Sequence, residues 1–425
     1  MNHAFSLIQG TAGGSAGALR VLGAGYPGRV GMTRAGTAFA FDEAGLLQPC
    51  AEHALRFSGA SRRLLVEEAR GNLLRNPRAE GAAAGSPGTP PTFWSYSSLV
   101  TQLNNSGLSF QNLGPVAAQG MTGMRFRISG TATATASGAI VLDTVPLSQN
   151  QVVTSSIFTR VVAGSAASLS IFYLRTRALT SGFAETAKSE VFFNRTSAAL
   201  TRYSAVMTVP ADSGSVTAQA TVLYQVNWTS GTAVDFTADL FCPQLEIGAV
   251  TTSPILPPAG APATAQRAVD QPVWLPPGGF GSQGTVVVRA MLPQAAPFGA
   301  SQGLWQIDDG TDGNRIQLRN TSAGSAITGV VDVGGATQAT LAAGNMAAGV
   351  PFRAAFSWAP GDQALCLGSG ALQLASAGLP GGLARMLLGH GSSQFNRAAN
   401  GEVELIDYRP TRVPNSLLQA LASAG

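Results

Sequence analysis

Apolar and polar residues alternate with a period of two along most of the chain. In "MRFRISGTATATASGAIVL" the apolar steps fall at Met124, Phe126 and Ile128, the pattern of a half-buried strand. "SLSIFYLRTRAL", "TAQATVLYQVNW" and "GTVVVRAML" are rich in β-branched and aromatic residues and read as further strands. Helical spacing is scarce. "PNSLLQALASAG" offers Pro414 and Asn415 as a start and Leu417, Leu418 and Leu421 as one apolar face, which predicts a short C-terminal helix. Turn signals recur every ten residues or so, and the expected class is all-β with short strands.

Proline and glycine suggest the boundaries. "GAAAGSPGTPPTFW" follows Glu80, and a second, Pro-denser stretch runs from Ser253 to Gly284. Proline donates no ladder hydrogen bond and stiffens a spacer. The resulting division is an N-terminal segment 1–71, a middle domain 72–257, a linker 258–283 and a C-terminal domain 284–425. The first segment is short and Gly-rich, so the expectation is a tether that attaches the chain to a partner.

Composition narrows the class. Apolar residues make up 45% of the 425, enough for real cores, while charged residues make up only 11%, well under the usual quarter or so. That balance is common in all-β extracellular and virion proteins. The net charge of +4 comes from 25 arginines and a single lysine, Lys188, against 22 acidic residues. The arginines are scattered without a basic block, which argues against a nucleic-acid groove. "MNHAFSLIQGTAGG" lacks a basic n-region and a long apolar run, so it does not read as a secretory signal. No stretch reaches the 18 or so apolar residues of a membrane span. Cys50, Cys242 and Cys366 are far apart and form no CxxC pair, so they read as three small buried residues.

One stretch breaks the low-charge rule. "RRLLVEEARGNLLRNPRAEG", Arg62 to Gly81, holds eight charges in twenty residues around Leu64, Val66, Leu73 and Leu74. Two readings stand: an edge strand guarded by charge, or a docking surface built on Arg62, Arg63, Glu67, Glu68 and Arg70.

Certain blocks resemble a known family. "MTRAGTAFAFDEAGLLQ", then "RRLLVEEARGNLLRNPRAEGAAAGSPGTPPTFW", then "PQLEIGAVTTSPILPPAGAPATAQRAVD" are similar to modules of tailed-phage and prophage structural proteins, of head-fibre or tail-fibre type. The middle domain resembles carbohydrate-binding jelly rolls, which open on "NLL…N…G" and close on "QLE.G…TS". The C-terminal domain, with "GTVVVRAML", "LWQIDDGTDGNRIQLRN", "FRAAFSW" and "GEVELIDYRPTRVPNSLLQAL", resembles laminin-G or concanavalin-like sandwiches. The resemblance implies two β-sandwiches in tandem, in a non-enzymatic protein on a virion surface. It would join other virion proteins through its N-terminal segment, as a homo-oligomer, and adhere to host surface polysaccharide. A purely structural decoration or spacer protein is a second reading.

Candidate chemistry is sparse. "DDGTDGNR" brings Asp308, Asp309 and Asp312 together and suggests calcium, but its spacing fails the EF-hand loop and a Gly-rich turn between two strands accounts for it. No cofactor is expected. Glu402 and Glu404 lie two apart in "GEVELID" and share one strand face. The resemblance to concanavalin-like retaining glycosidases makes polysaccharide depolymerase the alternative function. The Asp that those enzymes place between the two glutamates is missing, and Asp407 follows instead. His3, His53 and His390 do not form a metal triad, "G.S.G" has no strand–turn–helix setting, and a lysine only at position 188 rules out a phosphate loop.

Sugar binding would use rings for stacking and amides or carboxylates for hydroxyls. Trp94, Tyr96, Tyr173, Tyr224, Trp228 and Trp305 are the available large rings, and such rings also fill cores. Tyr224 and Trp228 are four apart beside a turn and rank first as a platform. In the C-terminal domain the loop of His390, Phe395, Asn396 and Asn400, with Asp309 and Asp312, is the second candidate.

Overall fold

The computed structural model describes residues 20–22, 30–211, 217–276, 279–297, 299–321 and 325–424. It is all-β, as the alternation predicts. The chain divides into two compact units, Arg70–Gln266 and the pair of segments Met1–Ala69 with Arg267–Gly425.

In the unit Arg70–Gln266, a five-stranded antiparallel sheet runs in the order Thr201–Thr208, Val152–Ser165, Ala233–Ile247, Met121–Thr131, Leu108–Ala118. A four-stranded sheet runs Ala136–Pro146, Thr217–Trp228, Ile171–Thr180, Glu185–Phe192. Inward residues of both sheets, among them Phe126, Ile128, Phe172, Tyr224, Trp228 and Phe236, form one core. A helix Ser97–Asn105, not expected from sequence, adds Leu99 and Leu103 to it.

The opening and closing motifs of this unit lock onto each other. Buried Asn72 accepts the N–H groups of Leu74 and Leu245 and donates to the carbonyls of Pro243 and Ile255. Asn76 does the same for the next turn, bonding Glu80 and Thr92. Buried Glu246 accepts from Thr252 N at 3.0 Å, from the Thr252 hydroxyl and from Gln244 Nε2. Gln244 in turn accepts from Ile255 N. The "NLL…N" and "QLE…TS" patterns are therefore a set of satisfied buried polar groups that join the unit's two ends.

The second unit is also a two-sheet sandwich. One sheet runs Gln373–Ala375, Asp362–Leu367, Phe352–Ala359, Gly284–Met291, Gly401–Arg409, Arg63–Val66, Phe57–Ser58, with Arg20–Leu22 also on Gly401–Arg409. The other runs Val30–Thr33, Gln271–Trp274, Arg385–Leu388, Ser301–Asp308, Arg315–Thr321, Ala326–Val333, Ala336–Asn345. Trp305, Phe356, Trp358 and Tyr408 lie in the core between them. The C-terminal helix is present at Asn415–Ser423, but it buries Leu418 and Ala422, whereas Leu417 is exposed. It covers Val287, Ala355, Ala364 and Leu405, on the sheet's outer side. No helix among the described residues is long and apolar enough to cross a membrane.

Two expected boundaries need correction. Residues 30–69 are not a separate segment, because they contribute strands to both sheets of the second unit and place Val30, Leu64 and Val66 in its core. Nor are residues 258–283 only a linker, since Gln271–Trp274 sits inside the second sheet. Pro272 is tolerated there because pairing with Arg385–Leu388 begins at Val273, past the ring.

Within this unit one residue of the charge-rich stretch, Glu67, enters a buried ionic network. Arg34 Nη1 meets Asp270 at 2.8 Å, Arg56 bridges Asp270 and Glu67, and Arg267 reaches Glu67 at 3.0 Å. All five side chains are buried. Burial works against the Arg56 charge, but Asp270 and Glu67 outweigh it and hold the guanidinium above its ordinary value. Carbonyls of Ala51, Ala54 and Phe39 take remaining donors. Three guanidiniums share two carboxylates, so truncating Asp270 or Glu67 would leave buried cations uncompensated, which costs about 3–5 kcal/mol.

Candidate functional site

The large rings do not form a sugar platform. Trp228 is 0% and Tyr224 1% exposed, and the Tyr224 hydroxyl lies 3.0 Å from the Thr159 hydroxyl inside the core. Trp94, Tyr96, Tyr173 and Trp305 are buried as well, and so are Trp274 and Trp358. Alternation had put Tyr224 and Trp228 on one face, and that face is the inner one.

The residues of the charge-rich stretch are mostly committed. Arg63 pairs with Glu402 at 3.2 Å and Glu404 at 2.8 Å, and Arg289 also reaches Glu404 at 3.0 Å. The glutamates do share one strand face, but as partners of arginines. Glu67 is buried in the network described above, Arg62 faces Glu43 at 3.9 Å on the surface, and Arg70 lies beside Gly248. Glu68 is only part-buried, and its N–H donates to Asn400 Oδ1 at 3.0 Å.

The loop after Arg385–Leu388 brings the remaining candidates together. His390 is buried, with Nε2 2.5 Å from the Asp270 carbonyl and the Phe395 ring edge-on at 5.1 Å. Burial, only partly offset by Asp270, pushes its imidazole down to about 4. Asn400 is buried too, so these two residues anchor the loop and are not available to a ligand. Asp312 accepts from Ser393 N at 2.6 Å, Ser392 Oγ at 2.9 Å and Gln306 Nε2 at 3.0 Å, and so pins the loop from below. Asp309 closes the turn between Ser301–Asp308 and Arg315–Thr321 by accepting from Thr311 and Asn314. Among the described residues no group of three or more His, Cys, Asp or Glu is placed to hold a metal.

The pinned loop lies against the outer face of the second sheet, over a polar ladder. Gln306, Asp308, Arg315, Gln317 and Asp332 are all buried there. Arg315 pairs with Asp332 at 2.6 Å and Arg385 with Asp308 at 2.6 Å. Gly303 makes the close approach possible: a Cβ on it would stand 1.8 Å from Gly391 N. The Arg397 carbonyl accepts from both Gly303 N and Gly391 N at 3.0 Å. Gly303 is also the ladder partner of Arg319. Docking the loop on Gly303 therefore carries Arg397 next to Arg319.

There the surface opens into a cavity of about 510 Å³, lined by Glu68, Ser301, Arg319, Thr321, Asn396 and Arg397 together with Gly299 and Ala300. Of the residues expected from sequence, Asn396 and Glu68 reach this cavity. Arg319, Arg397, Ser301 and Thr321 were not expected. Their one legible signal is the alternation Arg315, Gln317, Arg319, Thr321, which puts four polar side chains on one face of a strand.

No protein-family model matches the chain, and no curated protein is similar to it. Among solved structures it is similar to the CBM40 of the Ruminococcus gnavus IT-sialidase bound to α2,3 sialyllactose. That match has 20% identity and a TM-score of 0.29, over 33% of this chain and 83% of that one. It is also similar to the CBM22-1–CBM22-2 tandem of Paenibacillus barcinonensis Xyn10C, at 11% identity and a TM-score of 0.23, over 78% of this chain and 97% of that one. The sandwich assignment rests on the sheets described above.

Proposed function

We propose that the chain is a non-catalytic glycan-binding protein whose sugar site is the cavity around Arg319, Asn396 and Arg397. The observation that carries this reading is the lining itself. Two guanidiniums, one carboxylate, one amide and two hydroxyls converge on an open space of about 510 Å³. That is within the range of about 300–1,000 Å³ usual for small-ligand sites. Saccharide hydroxyls need donors and acceptors in mixture, and this set supplies both. The strand and the pinned loop hold the groups in place before binding.

The depolymerase alternative is disfavoured by the engagement of Glu402 and Glu404 with Arg63 and Arg289. A retaining mechanism needs two carboxyl groups that flank a bond as acid and nucleophile. Placement on a phage particle, as a homo-oligomer joined to other virion proteins, belongs to the same proposal. It is supported by the order of the sequence blocks and the low charge content, and multiple copies would multiply weak sugar contacts. Antibody against the chain should then decorate purified particles.

A glycan array of the full chain tests the binding reading. The wild type should retain a defined group of saccharides, and the Asn396→Ala, Arg397→Ala double variant should lose them at least about tenfold with an unchanged Tm. An empty array, or retention that ignores this double substitution, contradicts the proposal. So does reducing-end release that disappears on Glu402→Gln with Glu404→Gln.

A further inference from the structure

Among the described residues, most arginines meet a carboxylate or a carbonyl oxygen. Arg34, Arg56, Arg63, Arg75, Arg125, Arg127, Arg160, Arg175, Arg177, Arg267, Arg289, Arg315, Arg385, Arg409 and Arg412 each meet a carboxylate within 4 Å. Arg78, Arg195, Arg202 and Arg353 donate to carbonyl oxygens. Among the described residues Arg319 and Arg397 have neither, and both line the cavity around Asn396. Arg319 Nε is shielded from solvent without a hydrogen-bond partner.

Leaving a part-buried guanidinium unpaired is unfavourable, because burial removes water and nothing replaces it. Placing a second cation beside it compounds the cost. Burial comes first, then the charges of Arg315 and Arg397, in pushing the Arg319 guanidinium below its ordinary value, and Asp332 offsets only part of this. Glu68, on the same cavity, leaves two cations against one carboxylate. An arrangement of this kind is relieved when an anion enters and takes both forks.

We propose that the cavity selects saccharides that carry an anionic group, a carboxylate or a sulfate, held between Arg319 and Arg397. Asn396, Ser301 and Thr321 then take the neighbouring hydroxyls. This inference rests on the glycan-binding reading and narrows it to a ligand class. It also makes Arg319 a specificity-determining residue that sequence reading passes over, since its isolation from carboxylates is visible only in three dimensions.

The test is calorimetric titration of the full chain with three matched probes: galactan, galacturonan and 6-sulfated galactan oligosaccharides of equal length. Either acidic series should bind about tenfold or more tightly than the neutral one, and the carboxylate and sulfate arms tell which anion is preferred. Arg319→Gln and Arg397→Gln should each abolish that preference without lowering Tm, because neither guanidinium has a partner to lose. Equal affinity for all three probes overturns the inference and leaves glycan binding intact. An anionic preference that survives both substitutions places the anion elsewhere and overturns it as well. Failure of all three probes to bind, while the array retains neutral glycans at this site, also overturns it. Failure of probes and array together overturns the underlying reading too.

Discussion

Trp228 and His390 resemble ligand residues in the sequence and are core residues in the fold. Trp228 has no exposed surface and packs with Phe126, Phe236 and their neighbours. Trp228→Ala should therefore cost roughly 3–5 kcal/mol and lower the unfolding midpoint of the 70–266 unit, while glycan binding by the still-folded protein stays as it was. Loss of binding without loss of stability would return Trp228 to the site. His390 makes a pH prediction. Its folded value, about 4, lies below the ordinary 6.5, so the unfolded chain takes up the proton first as pH falls. The stability tied to the neutral imidazole is full above pH 6.5 and is lost progressively between 6.5 and 4, by up to about 3 kcal/mol. Denaturant midpoints for wild type and His390→Gln should converge as pH falls through that window. Parallel curves would remove His390 from the acid sensitivity.

At the scale of elements, the strand Arg63–Val66 shows how far the sequence can be read. Its alternation and its charge were legible, and Leu64 and Val66 do face inward. Its partner was not legible, because pairing with Gly401–Arg409 spans more than three hundred residues of chain. No local pattern encodes that register. Pro272 misled for a related reason: a proline excludes one ladder bond, not a strand. The helix Ser97–Asn105 hides because only Leu99 and Leu103 mark its inner side and its Ser, Thr and Asn suit turns equally well. The integration of residues 30–69 has a direct consequence. Deleting 1–69 removes Arg34, Arg56 and Glu67 from around Asp270 and strips Arg20–Leu22, Phe57–Ser58 and Arg63–Val66 from one sheet and Val30–Thr33 from the other. The truncated chain should lose the cooperative unfolding of the second unit, read by calorimetry or limited proteolysis. A truncated chain with that transition intact would restore these residues to a separate tether. On the cavity side, Asp312→Ala should free the loop at Ser392 and Ser393, weaken glycan binding several-fold and leave the sheets protected from hydrogen exchange. Unchanged affinity would mean that the loop holds its place without Asp312.

Across the described residues of the two sandwiches, the tryptophans are buried and the cavity around Arg319, Asn396 and Arg397 gathers polar groups of which the two arginines have no partner. The all-β class followed from periodicity, and the two tandem sandwiches from the order of the resembling blocks. The site did not, because what marks it is the absence of a partner for two arginines, and absence of a partner is a property of packing. Only Asn396 and Glu68, from the expected residues, reach it. The most direct measurement is hydrogen exchange on the full chain, with and without the saccharide that the array retains best. The account predicts added protection at residues 299–301, 319–321 and 396–397, and none in 70–266. Protection confined to the 70–266 unit, with the Arg319–Arg397 cavity unchanged, would contradict it.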